Sequence, residues 1–113
     1  MALEKRLGKI QDIKFGMGGY QDAQIGVTLT ICGGKDSCWA VGSFDGFWVI
    51  ERSERCKWTE IQRRESLGDT VMRIKDWLEQ AGISDLAALQ GKPVEATFEG
   101  SMLKSWRLLT EVL

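Results

Sequence analysis

Histidine is missing altogether from this 113-residue chain, and with it go the commonest general base and the usual activator of a serine or cysteine nucleophile. A triad hydrolase in its ordinary form is excluded. Cysteine is scarce: Cys32, Cys38 and Cys56 are odd in number and show no Cys-x-x-Cys spacing, which fits free thiols in a reducing compartment. Zinc would need an acidic fourth ligand and unusual spacing, whereas Cys32 and Cys38, at strand ends flanking a turn, suit small core residues. Neither a metal nor another cofactor is expected. No apolar run approaches the roughly 20 residues of a membrane helix, and the start, Met-Ala-Leu-Glu-Lys-Arg-Leu-Gly, has no apolar signal-peptide core. The expectation is a cytoplasmic protein with no membrane partner.

Charge of one sign is lacking too. Fifteen Lys and Arg against sixteen Asp and Glu leave one net negative charge, whereas a duplex-coating protein usually carries a basic excess. Even the densest stretch, Glu51 to Glu65, sets Arg52, Arg55, Lys57, Arg63 and Arg64 against four glutamates and reads as solvated surface. Nucleic acid is therefore a poor candidate partner. No internal repeat, low-complexity tract or linker stands out.

What the chain does have is enough apolar material, 43% with five Trp and four Phe, for a single domain over residues 1–113 with one core. Leu3 to Phe15 reads as a strand, followed by a glycine turn at Gly16-Met17-Gly18-Gly19. Gln24 to Cys32 alternates as a half-buried strand does. The bend Gly33-Gly34-Lys35-Asp36-Ser37 should return Cys38 to Phe44 beside it, and Asp45-Gly46 repeats the turn signal before a third meander strand, Phe47 to Glu51.

Thr59-Glu60-Ile61-Gln62 has the form of a capping box opening a helix. Leu67, Val71, Ile74, Leu78 and Ala81 lay an apolar stripe along it, and Gly82 is placed to end it in a left-handed conformation. Ser84 can cap a short second helix, Asp85 to Gln90, and two last strands, Val94 to Glu99 and Leu103 to Val112, meet at a turn around Gly100-Ser101. The expected fold is α+β: an antiparallel sheet of about five strands with one long helix packed on a face and a short second helix.

Several strings together, Lys14-Phe15-Gly16-Met17-Gly18-Gly19-Tyr20-Gln21-Asp22-Ala23, Lys57-Trp58-Thr59-Glu60, Gly91-Lys92-Pro93-Val94-Glu95-Ala96-Thr97-Phe98-Glu99-Gly100 and Leu103-Lys104-Ser105-Trp106-Arg107-Leu108-Leu109-Thr110-Glu111, resemble a group of small proteins encoded by tailed bacteriophages and prophages. The resemblance spans nearly the whole chain. It implies a phage origin and a role inside the infected or lysogenic bacterium, and it carries over no catalytic residues.

Candidate binding residues follow from chemistry. Gly18 and Gly19 could expose backbone amides to an anion, with Tyr20, Gln21 and Asp22 the first polar side chains beside them; a plain glycine turn explains the same residues. Gln21 stands where a dinucleotide fingerprint needs glycine, and Gly33-Gly34-Lys35 lacks the Ser or Thr of a P-loop. Trp39, Phe44, Phe47 and Trp48 crowd one expected meander, so some should be exposed or covered by another subunit, and Trp48 is a candidate stacking platform. Arg52 and Arg107 are candidate phosphate forks. The sequence thus suggests a non-enzymatic phage accessory protein that sequesters a small anionic signalling nucleotide of a host defence. Two rivals stand beside it: an inhibitor that binds a host enzyme or nuclease, and a single-stranded nucleic-acid module. A homo-oligomer is expected in each case.

Overall fold

The computed structural model describes residues 2–33, 39–50 and 53–112. Five strands form one antiparallel sheet in the order β3-β2-β1-β4-β5: β1 (Glu4–Gly18), β2 (Gln24–Gly33), β3 (Ala40–Trp48), β4 (Pro93–Glu99) and β5 (Met102–Leu108). One long helix, α1 (Glu60–Ala81), and short 3₁₀ turns at Tyr20–Asp22, Leu86–Leu89 and Thr110–Val112 complete an α+β fold. Among the described residues no helix is long and apolar enough to cross a membrane.

β1 is the axis of the sheet and is shared between two hairpins. Its first part, Glu4 to Lys9, pairs with β4, and its longer part, Gly8 to Gly18, pairs with β2. A bulge between Ile10 and Asp12 shifts the register, so that Ile10 and Ile13 both turn to the helix side. There they join Val27, Leu29, Ile31, Val94, Leu108 and Leu89 in the buried core.

Asp45-Gly46 does not turn. β3 runs unbroken from Ala40 to Trp48, with Asp45 opposite Val27 and Gly46 opposite Gly26. Of the expected third meander strand, Phe47 and Trp48 are the end of this strand, Val49 and Ile50 lie past it and Glu51 is outside the described residues, and β2 has β1 on its other side. The turn expected at 33–37 and the start expected at Cys38 lie largely outside the described residues. Likewise β1 continues through Gly16 and Gly18, and the chain turns only at Gly19, where φ is +69°.

Three glycines meet in one cross-strand row, Gly16 beside Gly26 beside Gly46, on the face away from the helix. Across this row the sheet is sharply folded. Gly18 lies opposite Gln24, four residues from Thr28 on β2 and roughly 13 Å from it in a flat sheet. Yet a Cβ on Gly18 would come 2.9 Å from the Phe44 ring and 3.5 Å from Thr28 Oγ1. Glycine permits such a crease because no side chain fills its inside angle. On the outer side of the bend, Phe15 and Met17 are left 49% and 53% exposed.

The capping box is present: Gln62 N–H donates to Thr59 Oγ1 at 3.1 Å and Thr59 N–H to Gln62 Oε1 at 2.8 Å. Gly82 closes α1 with φ +65°. The buried stripe is rotated from the expected one, however. Thr70 is buried, and Ile74, Trp77 and Ala81 pack against the core, while Val71 is exposed. α1 packs mainly on β3 and reaches β5 through Trp77, so the bulkiest side chain and not the simple aliphatic count sets its facing side. Asp85, one residue past the expected Ser84, caps the 3₁₀ turn by accepting from Ala87 N–H. β5 stops at Leu108, and the segment expected to continue as strand is the turn Thr110–Val112.

Candidate functional site

The end of β1 and the connection to β2 hold five of the residues singled out from sequence, Gly18 to Asp22. Gly19 takes φ +69° with ψ −156°, a conformation essentially confined to glycine, and a Cβ there would also have to displace the Gln24 side chain. Gln21 and Asp22 follow with φ of +52° and +54°, a left-handed conformation that non-glycine residues adopt rarely. The turn throws Tyr20 outward, 68% exposed, with its ring edge-on to Trp48 at 6.4 Å between centroids. Gly18 to Asp22 and Trp48 are thus brought together. Two amides bond within the turn itself: Asp22 N–H donates to Gly19 O and Ala23 N–H to Tyr20 O.

The two arginines do not join this group. Arg52 lies outside the described residues. Arg107 stands opposite Glu95 on β4, which in turn faces Leu7, so that the length of β1 from Leu7 to Gly18, on the order of 30 Å of strand, separates it from Tyr20. Its guanidinium is already engaged, with Nε donating to Glu95 at 3.2 Å and both terminal nitrogens to Glu111 at 3.1 and 3.2 Å. These carboxylates hold its pKa above the ordinary arginine value, and the same bonds hold the Glu111 carboxyl below the usual range. The crowded aromatics also find partners: Trp39 is edge-on to Phe98 at 5.3 Å and Phe47 to Trp58 at 5.7 Å. None of Trp39, Phe44, Phe47 and Trp48 is exposed.

A different cluster has the form of a ligand site. Between β2–β3, α1 and β5 lies a cleft of about 390 Å³, floored by Val27 and Leu29. Trp77 from the helix and Trp106 from β5 form one wall, with centroids 5.0 Å apart and planes 37° from parallel. The polar side holds Ser43, Asp45, Arg73, Lys104 and Ser105. Arg73 grips Asp45 in a two-pronged contact, Nε to Oδ2 and Nη2 to Oδ1, both 2.6 Å. That bond, opposed by partial burial, raises the arginine pKa.

Thr70 lies beneath this pair, its hydroxyl 3.1 Å from Ser66 O and 3.4 Å from Asp45 Oδ1. It can donate to one of them at a time. A second cleft beside Trp39 and Phe98 has its cation, Arg6, over the Phe98 ring at 4.5 Å and bonded to Glu4, whose pKa it lowers.

Chemically the first cleft offers flat apolar walls, an ammonium, two hydroxyls and a guanidinium fixed by the Asp45 carboxylate that offsets its charge, leaving Lys104 as the cation without that offset in the lining. Among the described residues no group of three or more His, Cys, Asp or Glu is placed to hold a metal ion. Neither Arg73 nor Trp77 is among the candidates expected from sequence. The available signal was Thr70, Arg73 and Trp77 at spacings of three and four, which puts a hydroxyl, a cation and an indole on one helix face. No protein-family model, curated protein or solved structure matches the chain.

Proposed function

We propose that this is a non-enzymatic binding protein for a small anionic nucleotide, and that it serves a phage inside its bacterial host by sequestering that molecule. The observation that carries the reading is the pairing of two indoles with Arg73 and Lys104 around one cleft. A purine or similar ring stacks on the free face of Trp106 or Trp77, and its phosphates take donors from Lys104 and from the guanidinium that Asp45 holds in place. Volumes of this size lie in the range of small-ligand sites. The phage setting rests on the sequence resemblance.

Calorimetry and thermal shift with cyclic dinucleotides, ADP-ribose derivatives and linear mononucleotides test the proposal. A specific ligand at a hundredfold excess over its dissociation constant adds about 2.7 kcal/mol of apparent stability. Lys104→Ala then weakens binding roughly ten- to hundredfold, the loss expected for a charge-assisted bond of about 1.5–3 kcal/mol. Absence of heat and of stabilisation across the panel refutes the reading. A second reading, an inhibitor that contacts a host enzyme, draws on exposed Tyr20 beside Trp48, and retention of one host protein in a pull-down that Tyr20→Ala abolishes would support it.

A further inference from the structure

Every strand edge in a small sheet must be covered, charged or paired, because its unpaired N–H and C=O groups are a template for another strand. Here β3 has α1 packed against it, tied by the Arg73–Asp45 pair. β5, on the other flank, is seven residues long and carries Lys104 and Arg107. The third edge is interior to the strand order and so easily overlooked. β4 covers β1 only as far as Lys9, and Ile10 closes the contact by donating to Lys92 O and accepting from Gly91 N–H. From Gln11 to Gly18, among the described residues, β1 pairs with β2 alone.

Beyond the bulge between Ile10 and Asp12, the single lysine Lys14 and the Leu86–Leu89 turn packed on β1, this edge has little protection. Its two charges, Asp12 and Lys14, are of opposite sign, and two of its side chains, Phe15 and Met17, are large, apolar and about half exposed. Gly16 stands between them with no atom within 4 Å of where its Cβ would be.

We propose that the bare edge pairs with the same edge of a second copy, antiparallel about a two-fold axis through Gly16. In that register Phe15 lies opposite Met17 of the second copy and Met17 opposite its Phe15, so four exposed side chains cover one another on one face. On the other face Lys14 meets Gly18 of the second copy and Gly16 meets Gly16, so no like charges stand opposite. A two-fold shifted to Lys14 would set lysine against lysine, which is unfavourable in a cross-strand pair. The edge is therefore complementary to itself in one particular register, as an isologous interface requires. The joined molecule has a continuous sheet through both copies of β1 and β2, with main-chain bonds giving affinity and the Phe–Met pairs giving register.

Light scattering of the full chain at high micromolar concentration reads the state directly, and the expected mass is that of a dimer. Phe15→Lys with Met17→Lys puts four cations into the contact and yields a monomer. Because that variant could be impaired in folding, a second measurement uses Gly16→Cys, which the open space at Gly16 admits. Opposite Cβ atoms on the axis are close enough for a disulfide, so mild oxidation links two chains through this position much faster than through Gly68→Cys on the exposed face of α1. A monomeric parent chain overturns the proposal. So does a dimer that the lysine pair leaves intact, or one in which Gly16→Cys links no faster than Gly68→Cys.

Discussion

Placing a single methyl group at two glycines of the same cross-strand row tests whether the crease in the sheet is real. Gly16 and Gly26 are neighbours in register and neither has a positive φ, so the backbone of each accepts alanine. Their surroundings differ. A Cβ at Gly16 meets nothing within 4 Å, whereas at Gly26 it runs into the Asp45 carbonyl and the Cα of Gly46 on β3. Backbone of a paired strand cannot swing aside as a side-chain tip can, so Gly26→Ala should incur an overpacking cost of about 1–3 kcal/mol. Against this, either substitution gains about 0.4–1 kcal/mol from the stiffer unfolded chain.

The expected outcome is Gly16→Ala equal to or slightly more stable than the parent, with Gly26→Ala roughly 2 kcal/mol below Gly16→Ala. At roughly 4–8 °C per kcal/mol for a domain approaching this size, the two melting temperatures should differ by roughly 8–16 °C in calorimetry at equal protein concentration. Chemical denaturation should rank them the same way. Equal stability of the two variants would refute the crease, and with it the explanation for the exposure of Phe15 and Met17.

Removing the helix caps is expected to act locally: Thr59→Ala should lower stability by about 1 kcal/mol in urea titration, and Gly82→Ala by about 1–2 kcal/mol because alanine resists the left-handed conformation found there; no change in either would contradict the cap geometry. The Glu111 carboxyl, held down chiefly by hydrogen bonds from Arg107, contributes stability above its unfolded pKa, and that contribution disappears as pH falls through the lower folded value. An NMR titration should therefore place Glu111 below an ordinary glutamate in the parent and return it upward in Arg107→Gln, and identical titrations in both would remove the ion pair from the account.

Much of the secondary structure was legible because its signals act over a few residues. The Thr59–Gln62 box and the left-handed glycine at 82 are satisfied within one helical turn, and the alternation of Gln24 to Cys32 expresses which side chains one strand turns inward. Gly100 marks the last hairpin with φ +62° for the same local reason. Asp45-Gly46 misled because a pair that favours a turn in isolation also fits a strand, once register sets its glycine against Gly26. The choice between the two belongs to the partner strand.

From sequence alone came the α+β class, most of the strands and the helix with its ends, all consequences of side-chain size, periodicity and capping within short windows. Tertiary structure decided which helix face lies inward, that three glycines from three strands align in one row, and that Arg73, Trp77 and Trp106 share a cleft while Arg107 stands far from Tyr20. Those outcomes depend on strand register and on the rotation of α1 about its axis. Both are set by contacts between residues distant in the chain, where a shift of one position turns every side chain of a strand to the other face.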